Sequence, residues 1–246
     1  GVPASLPALE PQEGQPLNRL DLARWLTHRN HPLTARVTVN RLWQQLFGIG
    51  LVKTSEDFGI QGEIPEHMAL LDWLSAQFMD SGWNLKELLK TILTSEAYRR
   101  SSDTTPQLQE SDPENRFMAR GARYRLPSWM IRDQALSVAG LLDPRQGGPP
   151  VNGYQPEGVW EEATFGNKKY TMDDPSKRYR RSLYTFWRRI IAPTMFFDTA
   201  SRQTCTVSIK RTNSPLHALA TLNDVTYIEA SRALASRAME QAEEAP

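Results

Sequence analysis

Apolar residues recur at helical spacing through much of the chain, and the clearest early repeat runs from Leu33 to Gly62, LTARVTVNRLWQQLFGIGLVKTSEDFGIQG. At 3.6 residues per turn, Ala35, Val39, Leu42, Trp43, Leu46 and Phe47 share one broad arc, with Thr38, Arg41 and Gln45 opposite. Arg36 and Asn40 project within or beside that arc, one turn apart, where an unpartnered polar group costs about 1–3 kcal/mol. Both therefore predict partners. The nearest in sequence lie in the following loop, so a hydrogen bond from Arg36 or Asn40 to the segment from Glu56 to Gln61 is expected.

The same periodicity places further helices. One opens near Asn18 and packs Leu20, Ala23, Trp25 and Leu26, with Pro32 blocking its continuation. Another opens at Pro65-Glu66 and carries Leu70, Leu71, Leu74 and Phe78, with His67 on the stripe as a core or capping residue. Asn84 and Glu87 give a capping-box-like start to Leu85, Leu88, Leu89, Ile92 and Leu93. The segment 101–111 reads as a polar loop, and Asp112-Pro113-Glu114 as a helix start. Pro127 to Leu142 reads as a helix packing Ile131, Ala135, Val138 and Leu142, with Arg132 and Asp133 at the margins of that face.

From Gly147 the helical period lapses. Residues 147–174 mix Gly, Pro, Asn and aromatics, and a long loop of that kind in a compact domain is functional or mobile. The centre of KRYRRSLYTFWRRI alternates, which predicts a short strand or hairpin over Ser182 to Arg188 and a second near Thr204 to Ile209. Ser214-Pro215 opens a helix through Leu222. Asn223-Asp224 then caps a last one, which packs Ile228, Leu234, Ala235, Ala238 and Met239. The expected fold is mainly α, a multi-helix bundle with a small β element near 180–210. A linker over 1–17 precedes a bundle over 18–146, and 147–246 packs on that bundle to make one domain overall.

Composition narrows the function. A hydrophobic fraction of 39% and a charged fraction of 23% describe a globular chain, and a net charge of +1 gives no global field to draw in nucleic acid. Cys205 is the sole cysteine, so no intrachain disulfide, Cys-based metal site or C-x-x-C-H haem attachment is available. No apolar run is long enough to span a bilayer, and no signal-peptide pattern opens the chain, which reads as an excised domain. Neither a phosphate-binding nor a dinucleotide fingerprint is present, nor G-x-S-x-G, and no cofactor is expected.

Three sets of residues are candidates for chemistry. The first is basic and aromatic: Arg178, Arg180, Tyr184, Trp187 and Arg188, with Trp160 in the loop and Lys177, Arg181 and Arg189 nearby. Such interleaving suits a sulfated or carboxylated glycan, or a single nucleic-acid strand. The plainer reading turns the aromatics inward and leaves the arginines solvated or paired with the acidic loop. The second set is Glu161, Glu162, Asp173 and Asp174, since a glycosidase needs two carboxyl groups about 5–10 Å apart. Adjacent loop carboxylates are, however, commonly just solvated. The third set, Arg36, Asn40, Asp57, Gln61, Arg132 and Asp133, either lines a cleft or forms a buried network that locks a loop onto the bundle. His28 and His31 have metal-ligand spacing but no third ligand at hand, so one imidazole capping the helix end is the expectation and no metal is assigned.

Three stretches in order, NRLWQQLFGIGLVKTSEDFGIQGEIPEH, LLDWLSAQFMDSGWNLKELLKTILTSEAYRRSS and SPLHALATLND, resemble a domain of unknown function. That domain sits at the C-terminal end of large secreted proteins abundant in planctomycetes, usually downstream of a cytochrome-c-like domain. The resemblance runs from about Leu20 to Met239 and implies secretion or a periplasmic location, but no reaction. The resulting expectation is a non-catalytic interaction or scaffold module, partnered by another domain of the same larger chain or by an acidic polysaccharide, and not by nucleic acid. The competing readings are a carbohydrate-active enzyme using the loop carboxylates, and a docking partner of the cytochrome-like domain.

Overall fold

Helix α1 (Arg19–Leu26) begins where Asn18 and Asp21 satisfy each other's turn: Asn18 Oδ1 accepts from the amides of Leu20 and Asp21, and Asp21 Oδ2 from that of Asn18. The structure, a computed structural model, describes residues 2–11, 16–188, 191–199, 206–207 and 213–243. Arg189 and Cys205 lie outside them. Contacts divide the chain into two units, Gly1–Tyr124 and Arg125–Pro246. The helix over 128–138 takes its partners from the C-terminal half. Among the described residues eleven α-helices and one 3-10 turn make a mainly α fold with no sheet, and no helix is long and apolar enough to cross a membrane.

In the first unit α1 is followed by α2 (Thr34–Phe47), α3 (Met68–Asp80), α4 (Leu85–Leu93), α5 (Glu96–Arg99) and α6 (Pro106–Ser111). The core forms where α2 meets α3 and α3 meets α4. Val39, Trp43 and Phe47 pack with Leu71, Leu74 and Phe78, and with Leu88, Ile92, Leu51 and Val52. Trp43 and Phe47, one turn apart, stack at 4.1 Å. Gly48 ends α2 at φ +83, and a Cβ there would sit 2.8 Å from the Tyr124 ring, so the turn requires glycine.

Several local expectations change here. The apolar side of α1 is not a packing face: Leu20 is 55% exposed and Asp21 is the buried residue, because an eight-residue helix buries only what its neighbours cover. Trp25 reaches back to the N-terminal segment, its Nε1 donating to the Pro7 carbonyl at 2.8 Å. His31 caps the start of α2 and not the end of α1, with Nδ1 accepting from the amides of Leu33 and Thr34. His28 Nδ1 accepts from the Asn30 amide. His67 precedes α3 and its Nε2 meets the Arg116 carbonyl at 3.1 Å. The segment read as a polar loop contains α6, opened by Thr105 and Pro106. Asp112-Pro113-Glu114 starts no helix, because the Asp112 carboxylate closes a turn onto the amides of Arg116 and Phe117.

Asn40 is fully buried and pairs with the backbone of one loop residue: Oδ1 accepts from Val52 N at 2.8 Å and Nδ2 donates to Val52 O at 2.9 Å. Nδ2 also meets Ser55 Oγ, which donates to Gln44. Gly50 permits this approach, since a Cβ there would lie 2.5 Å from Val52 O and 2.8 Å from the Asn40 amide. Arg36 turns instead to Asp72 and the Pro32 carbonyl, both at 2.6 Å. Neither side chain bonds the segment from Glu56 to Gln61, because the turn at Gly48 brings Val52 back onto α2 first. Asp57 closes its own loop by accepting from Gly59 N at 2.7 Å, and Gln61 is exposed.

The second unit contains α7 (Ser128–Val138), α8 (Val159–Ala163), α9 (Pro175–Arg178), the 3-10 turn Ser182–Tyr184, α10 (Pro215–Asn223) and α11 (Val225–Glu243). Helix α7 packs on α11 and on the 3-10 turn. Its buried stripe is Ser128, Arg132 and Leu136 at i, i+4, i+8, so Arg132 lies at the centre and Val138, expected inside, is 49% exposed. The stripe of α11 is likewise displaced, with Tyr227 and Ala230 buried and Ile228, Leu234 and Met239 exposed. The strand expected over Ser182 to Arg188 is the 3-10 turn, flanked by isolated parallel bridges, Asp143 with Arg180 and Val151 with Thr185. No ladder can grow upstream of Val151, because Pro149 and Pro150 have no amide to donate. Of the second expected strand, 204–209, only residues 206 and 207 are described.

Candidate functional site

Helix geometry sets the site. With Ser128, Arg132 and Leu136 turned inward, Trp129, Met130, Asp133, Gln134 and Ser137 follow one step round α7 and line an open cleft of about 750 Å³. Arg181, Ser182 and Leu183 of the turn face the same cleft, together with Leu142, Trp187, Phe196 and Thr199. Leu183 is 85% exposed, because the 3-10 turn buries Ser182 and throws the next side chain outward.

Buried polar contacts fix these walls. Asp133 Oδ1 accepts from Ser182 N at 2.8 Å, Ser182 Oγ at 2.7 Å and Arg132 Nη1 at 3.2 Å. Arg132, with 2% of its side chain exposed, also donates to the carbonyls of Arg180 at 2.9 Å and Arg178 at 3.0 Å. Burial lowers its pKa and the neighbouring Asp133 carboxylate opposes that shift. The start of α7 is held from far away in sequence. Pro127 offers no capping side chain, and Asp198 accepts from Ser128 N at 3.0 Å, from Ser128 Oγ, and from Arg125 Nη2 at 3.1 Å. Asp224 caps α11 through Thr226 N at 2.9 Å and accepts from Thr194 Oγ1. Tyr227 lies among these groups, and burial pushes its hydroxyl pKa upward. Tyr179 donates to Glu229 at 2.6 Å and has its pKa pushed up to about 12, first by burial and then by that carboxylate.

The basic set expected to bind a ligand is largely internal. Arg180 is buried and donates to the carbonyls of Arg145, Gly147 and Pro149 while lying 3.8 Å over the Tyr184 ring, whose hydroxyl accepts from Gly147 N. Arg178 contacts Met172 Sδ and pairs with Glu229 at 3.8 Å. The simple alternation that leaves arginines in solvent therefore fails at both positions, because the turn breaks the two-residue period. Trp160 is buried in a stack, 5.2 Å from Tyr170 and 5.9 Å from Phe186, with the Arg188 guanidinium 5.8 Å from its ring and Nε1 donating to Gln155. Of the six residues expected at a ligand site, Trp187 lines the cleft.

The loop carboxylates are also accounted for. Asp173 Oδ2 accepts from Asn152 N at 2.7 Å. Asp174 caps α9 through Ser176, and those hydrogen bonds hold its carboxyl below the ordinary range. Glu161 and Glu162 are consecutive in the first turn of the short α8. None of the four lines the cleft. Among the described residues no three His, Cys, Asp or Glu side chains converge to hold a metal. Trp129, Met130 and Gln134 are cleft residues that sequence reasoning passed over, while Arg181 was named beside the basic set. An indole and a thioether beside a buried arginine stripe were the available signal.

No curated protein and no solved structure matches the chain. A family model described as a protein of unknown function (DUF1553) matches residues 18–245, and the chain belongs to that family.

Proposed function

We propose that the chain is a non-catalytic recognition module that holds a saccharide chain in the cleft of its second unit, within a larger secreted protein. One observation carries the reading: two indoles, Trp129 and Trp187, line a 750 Å³ cleft together with Asp133, Gln134 and Arg181. A volume within about 300–1,000 Å³, apolar walls and a few placed polar groups are the ordinary properties of a small-ligand site. Indole faces suit the C–H faces of a sugar ring, while carboxylate, amide and guanidinium suit its hydroxyls. The groups weighed for glycoside cleavage are elsewhere, and the carboxylate at the cleft is already engaged on one oxygen by the protein itself.

Isothermal titration of the 246-residue chain with a panel of soluble oligosaccharides tests this. Saturable binding without release of shorter products, lost on Trp129→Ala, is the expected result. Turnover of any panel member would replace the module by an enzyme. Binding of none, with another domain of the larger chain occupying the cleft instead, would make it an intramolecular scaffold.

A further inference from the structure

The reading above leaves the kind of saccharide open, and the charges at the cleft decide it. Among the described residues two charged side chains line the cleft, Asp133 and Arg181, one of each sign. Among the described residues no surplus of cations, of the kind a uronate or sulfated glycan needs, lines this cleft. Arg178 and Arg180 are committed to Met172, Glu229 and backbone carbonyls, and Arg188 lies over Trp160.

Asp133 supplies the second half of the argument. Its Oδ1 is held by three donors, Ser182 N, Ser182 Oγ and Arg132 Nη1, while Oδ2 receives no hydrogen bond from any described residue. A carboxylate pinned through one oxygen cannot rotate away, and the other oxygen is acceptor-only. What it can take from a ligand is an O–H or N–H donor. Gln134, the next residue, adds an exposed amide that both donates and accepts.

Resting on the saccharide reading of the same cleft, we infer that the ligand is a neutral oligosaccharide with free hydroxyls, and that Asp133 selects it by accepting hydroxyl protons on Oδ2. Arg132 and Ser182 are positioning residues that act through Asp133. Anionic sugars are disfavoured, because a ligand carboxylate brought against Oδ2 meets like charge with one arginine to offset it.

The test titrates the whole chain with neutral gluco-, xylo- and manno-oligosaccharides, their O-methylated forms, and oligogalacturonate. Unmethylated neutral sugars should bind, O-methylation should weaken them at least tenfold, and oligogalacturonate should be the weaker ligand. Asp133→Asn keeps an acceptor for Ser182 but puts an amide donor in place of Oδ2, and should weaken neutral binding about tenfold. Arg181→Gln keeps a hydrogen-bond donor at the cleft and should weaken neutral binding less than Asp133→Asn does. If Asp133→Asn fails to fold, Gln134→Ala on the exposed side of α7 and the methylated ligands on the unaltered chain still decide the matter. Tighter binding of oligogalacturonate, abolished by Arg181→Gln, would overturn the inference while leaving the recognition module standing. Methylation without effect would also overturn it. Failure of every saccharide would remove the module reading itself.

Discussion

Arg132 and Asp133 are consecutive on α7, yet the guanidinium of the first and the carboxylate of the second meet at 3.2 Å around Ser182. Neighbours on a helix diverge by about 100°. The long arginine side chain spans that divergence from inside the fold while Asp133 reaches the same point from the margin of the cleft. The result is a junction of α7, the 3-10 turn and the end of α9, whose Arg178 carbonyl accepts from Arg132 Nη2. Arg132→Ala would leave an uncompensated carboxylate and carbonyls with no donor, and should destabilise the chain by about 3–5 kcal/mol. Arg132→Lys should recover little, because a single ammonium cannot serve carbonyls that the planar fork spans. Urea unfolding followed by tryptophan fluorescence gives both values, and a lysine variant as stable as the parent would show the fork to be dispensable.

Asn40 makes a comparable prediction in the first unit. Its amide satisfies both the N–H and the C=O of Val52, so the partners are left buried when it is removed. Asn40→Leu should cost about 2–4 kcal/mol, two unsatisfied backbone groups at the usual 1–3 each with some relief from apolar burial. Asn40→Asp separates the two bonds, because Oδ1 can still accept from Val52 N while nothing donates to Val52 O. Hydrogen exchange at the Val52 amide is the direct readout: it should become fast in Asn40→Leu and keep protection in Asn40→Asp at neutral pH.

These two arginine and asparagine sites show what the sequence made legible and what it hid. Helix positions were readable at α2, α4 and α10, where capping residues and i, i+4 repeats are local signals. Which face each helix buries was less readable, because that depends on neighbours distant in sequence. The buried stripe of α7 contains a serine and an arginine, so apolar periodicity pointed about one residue away from it. Asn40 was recognisable as needing a partner. Val52 was not recognisable as that partner, since the choice follows from the approach at Gly50. At the candidate site Trp187 was legible as an aromatic near positive charge, whereas Trp129 lay outside the apolar repeat of its helix and drew no attention. Asp198 carried no local signal at all, because its role is defined by Ser128, 70 residues earlier.

His31 makes stability depend on pH in a stated direction. Its Nδ1 accepts from Leu33 N and Thr34 N, a role that a protonated Nδ1 cannot perform, and burial lowers its pKa below 6.5. The unfolded chain therefore binds the proton more readily than the folded one. The contribution is fully present above the unfolded value of about 6.5, is lost as the pH falls from there through the lower folded value, and changes no further below it. His31→Asn keeps an acceptor able to cap α2 and does not titrate. Urea midpoints measured from pH 8 to pH 4 should show a component in the parent that the variant lacks. Parallel profiles for the two chains would rule out His31 as its source.

Asp198 offers a way to separate capping from charge. It accepts from the amide and hydroxyl of Ser128 at the start of α7 and pairs with Arg125, whose guanidinium lies 5.2 Å from the Phe197 ring. Asp198→Asn preserves an acceptor for the first turn and removes the negative charge. Asp198→Ala removes both. If the cap dominates, Asn should cost about 1 kcal/mol and Ala about 2–3, with α7 amides exchanging faster only in the alanine variant. If the ion pair dominates, the two variants should be equally destabilised and Arg125→Met should restore stability in the Asp198→Asn background, because no unpaired guanidinium then remains. Arg125 bears on the second outcome directly, since its Nε and Nη1 are buried without a hydrogen-bond partner and loss of the Asp198 charge strands the guanidinium.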